Sequence, residues 1–332
     1  MKPDFSATSI LDTLQNVTLA RALMVATKLG VFEVLAQKAL TANQIATEIN
    51  GNPRGTEKLV NVLLAVGLLV HDGSLYQITE LARRWLLENS DRSLRDYMLF
   101  RFLEWEFIES CEEFVLTGEP VSWDAMSEEQ WRVYQRGMRS LAGVSADEVA
   151  LRVPVPEGAT RMLDVGGSHG YYSVSICRRH PGLCATVLDL PEAVEHAAPI
   201  LARERMEDRV AHRVGNALTE DLGENVWNLV FVSQFTHHLD EASNRDLVHR
   251  IARALRPGGV LAILEILPPA SPSEASATEA LLDLYCAVIS TSGTWSAREI
   301  ADWQQAAGLV PKKLIKLRTI PAGGIQAAGK PL

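Results

Sequence analysis

Several function-specifying features are missing from this sequence. Its four cysteines, Cys111, Cys177, Cys184 and Cys286, form no C-x-x-C pair and show no ligand-like spacing. That argues against a zinc ribbon or a disulfide framework, and for free thiols in a reducing compartment. No run is long and apolar enough to cross a bilayer, because the most apolar early segment, 19–36, is broken by Arg21, Lys28 and Glu33. The opening MKPDFSATSI lacks a continuous apolar core, so no secretory leader is expected and a cytoplasmic location is. An excess of cations is missing too: the net charge is −9, which gives no nucleic-acid footprint. What is present, 332 residues of which 47% are hydrophobic and 22% charged, suffices for two domains or one large domain with an appendage.

The first hundred residues read as helix, helix, hairpin. Residues 16–38 carry apolar side chains at helical spacing. Thr41 suits the N-cap of a short helix over TANQIATEI that closes at Asn50-Gly51, and Pro53 suits the start of a second helix. Two β-like pieces then flank Asp72-Gly73, and LARRWLLENS continues as helix. This is winged-helix grammar. Yet residues 1–100 hold ten Lys and Arg against ten Asp and Glu, and the second helix offers only Arg54 and Lys58 with Glu57 between them. Phosphate neutralisation needs a basic face, so DNA binding is the weaker reading of this domain. Residues 91–150 are helical, and Phe102, Trp105, Phe107 and Met138 are either plain core or the lining of an apolar pocket. Val153-Pro154-Val155-Pro156-Glu157-Gly158 reads as a connector.

From Arg161 the pattern alternates strands (161–165, 184–189, 210–215, 227–233, 259–267) with amphipathic helices, which predicts a mostly parallel, doubly wound sheet. Two further β-like runs, LVPKKLIKL and GIQAAGK, are joined by a hairpin turn at Pro321–Gly324. Ligands of such sheets bind at the carboxyl ends of the strands. The first strand ends in Asp164-Val165-Gly166-Gly167-Ser168-His169-Gly170. No register gives the three glycines of a dinucleotide fingerprint. A carboxylate at Asp164 would repel a pyrophosphate and favour a ligand bearing an ammonium and a sulfonium, as S-adenosylmethionine (SAM) does.

The other strand ends are equally unusual. Asp189 lies nineteen residues past Gly170 and can accept both hydroxyls of a ribose. Asn216 is either a donor to an adenine edge or a turn residue. The fourth strand ends in Ser233-Gln234-Phe235-Thr236-His237-His238, and the paired imidazoles are the candidate bases because they titrate near neutrality. Glu265 ends the fifth strand and can orient a histidine or hold a substrate. His237-His238 has no third ligand at metal spacing, so no metal is expected.

Taken in order, these motifs resemble the class I SAM-dependent methyltransferases, and among them the small-molecule O-methyltransferases related to caffeate, acetylserotonin and bacterial natural-product enzymes. LDVGGSHGYYS is similar to the family's SAM motif, LDLPEAV to its ribose-binding segment and LRPGGVLAILE to the helix end and strand that follow. LLDLYCAVISTSGTWSAREIADWQQAAGL is similar to the helices that close its acceptor pocket. The resemblance implies a Rossmann-like α/β domain with a seven-stranded sheet over 154–332, a winged-helix dimerisation domain over 1–100, and a helical linker over 101–153 that contributes to the pocket. It implies that Asp164, Gly166, Gly167 and Gly170 hold the methionyl part of SAM and that Asp189 and Leu190 hold its adenosine. Asn216 with Ala217, and Ser233 with Gln234, would lie beside the cofactor. His237 takes the base position, with His238 and Glu265 as its companions. Phe102, Trp105, Met138, Asp283 and Thr294 would line the acceptor pocket.

Two departures from the family bear on the chemistry. His238 stands where the family commonly has an aspartate, and Thr294 where it has a second glutamate. The resemblance therefore implies methyl transfer to a small aromatic or polycyclic acceptor, most simply at oxygen. Transfer to carbon or nitrogen, a non-methylating SAM reaction and a winged-helix regulator are the alternatives. Long apolar faces at 16–40 and 91–115 predict a homodimer with an intertwined N-terminal interface.

Overall fold

The computed structural model describes residues 7–121, 126–271, 273 and 275–332; the opening Met1–Ser6, read above for a leader, lies outside them. The chain forms two compact units, one up to Glu104 and one from Trp105.

In the first unit, α1 (Ala7–Lys28) and α2 (Val31–Gln37) replace the single helix expected over 16–38. Gly30 takes φ +76° between them, a left-handed conformation that no regular helix accommodates. Thr41 caps α3 (Ala42–Glu48) in a reciprocal box with Gln44, and the Asn52 side chain accepts the Arg54 and Gly55 amides at the head of α4 (Pro53–Ala65). β1 (Leu69–His71) pairs antiparallel with β2 (Tyr76–Ile78), and the Asp72 carboxylate takes the Ser74 and Leu75 amides in the turn. Next come α5 (Glu80–Leu86) and α6 (Arg95–Glu109), which runs across the unit boundary. The core gathers Phe32, Leu35, Ile45, Leu63 and Leu69. On α1, Ile10, Leu11, Leu14 and Val17 are each at least half exposed, an uncovered apolar stripe at helical spacing.

The second unit begins with α7 (Cys111–Thr117) and the 25-residue α8 (Glu128–Arg152). Then follow β3 (Arg161–Val165), α9 (Tyr171–Arg179), β4 (Cys184–Asp189), α10 (Pro191–Ala202), β5 (Val210–Val214) and β6 (Trp227–Ser233). A 3-10 turn (Thr236–His238) leads into α11 (Glu241–Ala254), β7 (Leu255–Ile266), α12 (Ala277–Ile289) and α13 (Ala297–Ala306). The chain closes with β8 (Val310–Pro311), β9 (Ile315–Lys316) and β10 (Gly323–Gly329). The sheet runs β5-β4-β3-β6-β7-β10-β8, with β10 antiparallel to β7 and the first five strands parallel.

Eight strands occupy seven positions, because β8 and β9 both pair with β10. The single run expected over LVPKKLIKL is thus two short pieces; Pro311, which has no N–H, ends the first. The strand expected over 259–267 starts earlier, at Leu255, and carries a bulge where pairing with β6 steps from Leu255 to Val260. Strand alternation sends Met162 and Asp164 to the α8–α9 face and Leu163 and Val165 to the α11–α13 face. Both faces of the sheet are therefore packed, as a parallel sheet requires.

Candidate active site

Parallel strands present their carboxyl ends on one side, so β3, β4, β6 and β7 deliver Asp164, Asp189, Ser233 and Glu265 to a common edge of the sheet. The glycine loop after β3 is built by close approach. Gly166 (φ +64°) donates its amide to the Leu188 carbonyl at 2.8 Å, and an added Cβ would stand 2.5 Å from the Phe235 ring. A Cβ on Gly167 would stand 2.5 Å from the Asp164 carboxyl carbon. Gly170 (φ +69°) opens α9 and donates its amide to Gly167. Ser168 also adopts a positive φ, +50°. Its amide reaches Asp189 Oδ2 at 2.7 Å, its hydroxyl donates to Gln135 on α8, and its carbonyl lies 2.8 Å from His212 Nε2 on β5.

Asp164 is 1% exposed; Oδ2 accepts the Ser173 hydroxyl at 2.6 Å, while Oδ1 is buried without a partner. Burial pushes its pKa up to about 7, the Ser173 bond opposes that, and the charge of Asp189 adds to it. An orphaned, half-protonated carboxylate beside a glycine cradle fits the ammonium of an amino-acid ligand. A cation there favours the ionised form and so depresses the pKa. SAM affinity is therefore expected to weaken as the pH falls below about 7, by up to about tenfold per unit, and to level off above it. Calorimetric titrations at pH 6, 7 and 8 check this, and a flat series would remove Asp164 from the binding reaction.

Asp189 is held by the Ser168 and Leu190 amides at 2.7 and 2.8 Å; burial raises its pKa, which these bonds counter. Leu190 is 45% exposed, free to flank a flat ring. Tyr134 on α8, which sequence reasoning did not single out, feels the Asp189 charge; burial and that charge push its phenol up to about 12. Asn216 is exposed and its Oδ1 accepts the Leu218 amide at 2.9 Å in the turn after β5, with Ala217 buried. Ser233 is half-buried, and Gln234, at φ +51°, joins its amide to the Leu264 carbonyl of β7.

The two histidines part company. His237 is 6% exposed and its Nδ1 lies 2.8 Å from Glu265 Oε2. The other Glu265 oxygen, Oε1, accepts the Phe235 amide, the Thr236 amide and the Thr236 hydroxyl at 2.7–2.8 Å. Burial alone would raise the Glu265 pKa, but His237 and these donors overturn it, and the carboxyl sits below its ordinary value. The glutamate is thus an ionised, fully bonded partner for Nδ1–H, which makes Nε2 the unprotonated ring nitrogen. His238 packs against His237 with ring centroids 4.2 Å apart. Burial first, and His237 second, press its pKa down to about 3, against the pull of Glu265. So low a value makes His238 a weak base.

Of the expected pocket residues, Phe102 has its ring under Arg21 and Lys28 of α1, at 4.5 and 4.8 Å, within the first unit. Trp105 and Met138 are half-buried. Thr294 donates its hydroxyl to Asp283 of α12, which joins these two to each other. Two residues that sequence reasoning missed hold the Thr236–His238 turn: Asn244 Nδ2 and Trp295 Nε1 both donate to the Thr236 carbonyl, at 2.9 and 3.0 Å. Asn244 had a sequence signal. It occupies the apolar stripe of α11 with Leu247, Val248 and Ile251, where a polar residue needs a partner. Among the described residues no group of three or more His, Cys, Asp or Glu side chains is arranged to hold a metal ion, and no helix is long and apolar enough to cross a membrane.

The chain matches the model of the O-methyltransferase domain over residues 115–310 and that of the O-methyltransferase dimerisation domain over 11–88. It belongs to the O-methyltransferase family. The protein is thus an enzyme, a methyltransferase whose cofactor is S-adenosylmethionine. It is similar to 3-hydroxy-5-methyl-1-naphthoate 3-O-methyltransferase of Streptomyces sahachiroi, 25% identical over 97% of this chain and 95% of that one. It is also similar to the mitomycin biosynthesis 6-O-methyltransferase of Streptomyces lavendulae, 26% identical over 94% of this chain and 90% of the relative. The fold matches the crystal structure of human N-acetylserotonin methyltransferase in complex with SAM, with a TM-score of 0.87 at 20% identity over 100% of both chains.

Proposed function

We propose that this enzyme moves the methyl group of SAM to a hydroxyl of a small aromatic or polycyclic natural product, with His237 as general base. The observation that carries the base assignment is the dyad: His237 Nδ1 lies 2.8 Å from a glutamate oxygen whose partner oxygen has three donors of its own. The sulfonium of SAM supplies an electrophilic methyl group poised for direct displacement. Asp164 and the Gly166–Gly170 loop hold the amino-acid end of the cofactor, and Asp189 its ribose. His237 Nε2 takes the proton from the acceptor hydroxyl as that oxygen becomes the nucleophile, and Glu265 balances the imidazolium. Alignment of acceptor oxygen and methyl supplies much of the rate. The naphthoate and mitomycin relatives support a hydroxyl on a fused ring system as the acceptor.

The test is incubation with SAM and a panel of hydroxynaphthoates and hydroxyquinones, with products located by mass and NMR. O-methyl products are expected; failure to bind SAM or S-adenosylhomocysteine by calorimetry would sink the reading. A C- or N-methyl product would favour the second reading. Thr294 favours that reading: it stands where the resemblance implies a second glutamate beside His237, and its hydroxyl is bonded to Asp283.

The uncovered stripe Ile10, Leu11, Leu14 and Val17 lies largely within the dimerisation match and supports a homodimer, for which light scattering should return twice the chain mass. Four free cysteines suit the cytoplasm, and the acidic charge suits a small-molecule partner over nucleic acid.

A further inference from the structure

The base turn is held from two sides. From β7, Glu265 takes the amide and hydroxyl of Thr236. From the opposite side, Asn244 of α11, 0% exposed, spends Nδ2 on the carbonyls of Thr236 and Leu239 at 2.9 and 3.0 Å, the two residues that bracket His237 and His238. Trp295 adds a second side-chain donor to the Thr236 carbonyl, and the Ser292 amide reaches the His237 carbonyl at 3.3 Å. Asn244 Oδ1 is buried with no partner, a cost that a residue kept only for packing would not carry. We infer that Asn244 is a positioning residue for catalysis: it fixes the Thr236–His238 turn so that His237 keeps its Nδ1–H on Glu265 and presents Nε2 to the acceptor.

The physical logic is geometric. A three-residue 3-10 turn has weak internal hydrogen bonding, so its orientation is set by what its outer carbonyls find. Removing the Asn244 donors takes the side-chain donor from the Leu239 carbonyl and leaves the Thr236 carbonyl to Trp295 and the Leu239 amide, and the turn relaxes toward Trp295. His237 then tilts relative to Glu265, and the tautomer is no longer enforced. The Asn244 side chain is fully buried and bonds the two carbonyls that bracket the histidines, so Asn244 acts through His237. The proposal rests on His237 being the base.

The experiment is NMR of the ring nitrogens in full-length protein labelled with 15N-histidine, with His237 assigned by comparison with His237→Gln. The wild type is expected to show one tautomer, protonated at Nδ1. Asn244→Ala is expected to lose that single-tautomer signature while S-adenosylhomocysteine affinity stays within about twofold and kcat falls on the order of 100-fold, the cost of a misplaced catalytic group. If Asn244→Ala does not fold, Asn244→Ser, with one donor for two carbonyls, and Trp295→Phe, which removes the other side-chain donor to Thr236, are read in the same way. A variant that folds and keeps the wild-type tautomer overturns the proposal, as does a wild type protonated at Nε2. An intact signature in a protein whose His237→Ala variant methylates normally would overturn the base assignment instead, so the two failures are distinguishable.

Discussion

His237→Ala is expected to lower kcat by about 10²–10⁴-fold, the usual contribution of a positioned general base, while S-adenosylhomocysteine binds with unchanged affinity. The asymmetry follows from where the side chain sits. His237 lies on the turn after β6 and is tied to Glu265 on β7, whereas the glycine loop proposed to hold the cofactor spans Gly166–Gly170 and is anchored on β4. Cutting the imidazole at Cβ removes the proposed base and leaves that loop its own hydrogen bonds. Glu265 keeps its three donors at Oε1, so the strand end should hold its shape. His238→Ala is the contrasting case. An imidazole with a pKa pressed to about 3 contributes little as a base, so its loss should act through packing on His237 and cost far less. Steady-state rates of both variants on one acceptor, with calorimetry for the cofactor, decide between them; equal losses would reject the distinction.

Gly167→Ala is expected to weaken SAM binding by about 10–100-fold, which corresponds to roughly 1–3 kcal/mol of overpacking strain. The new methyl group would meet the Asp164 carboxyl carbon at 2.5 Å and its oxygens at 2.7 and 2.8 Å. Asp164 is buried and bonded to Ser173, so it cannot swing aside without losing that bond. The loop must shift instead, and with it the Ser168 amide that holds Asp189. Gly30→Ala serves as the control. Nothing lies within 4 Å of its Cβ position, but its φ of +76° costs about 1–2 kcal/mol for any other residue, so it should lower the thermal midpoint and leave SAM affinity alone. Calorimetry and thermal melts on the two variants separate loop geometry from backbone strain; a Gly167→Ala variant that binds like wild type would overturn the close-approach account.

Both predictions use residues that were legible in the sequence, and the reason is local. Asp164, the glycine loop, Asp189 and Glu265 sit at strand ends, where a short apolar run meets a turn, and the spacing of such runs reveals a parallel sheet without knowledge of its packing. The cap at Thr41 and the Asp72-Gly73 turn were legible for the same reason, since each is closed by bonds between residues at most three apart. The break at Gly30 was not legible, because apolar periodicity continues through it and the left-handed turn depends on how α1 and α2 pack.

By itself, then, the sequence determined the order of strands and helices and the acids that end β3, β4 and β7. It also placed two adjacent histidines after β6. Only the tertiary structure set the surroundings of those histidines apart, because the difference is made by Glu265, 28 residues from His237 along the chain and 2.8 Å away in space. The same holds for Asn244 with Thr236, for Thr294 with Asp283, and for Gln135 with Ser168. Each pair is set by the crossing of separate elements, and neither propensity nor spacing encodes that.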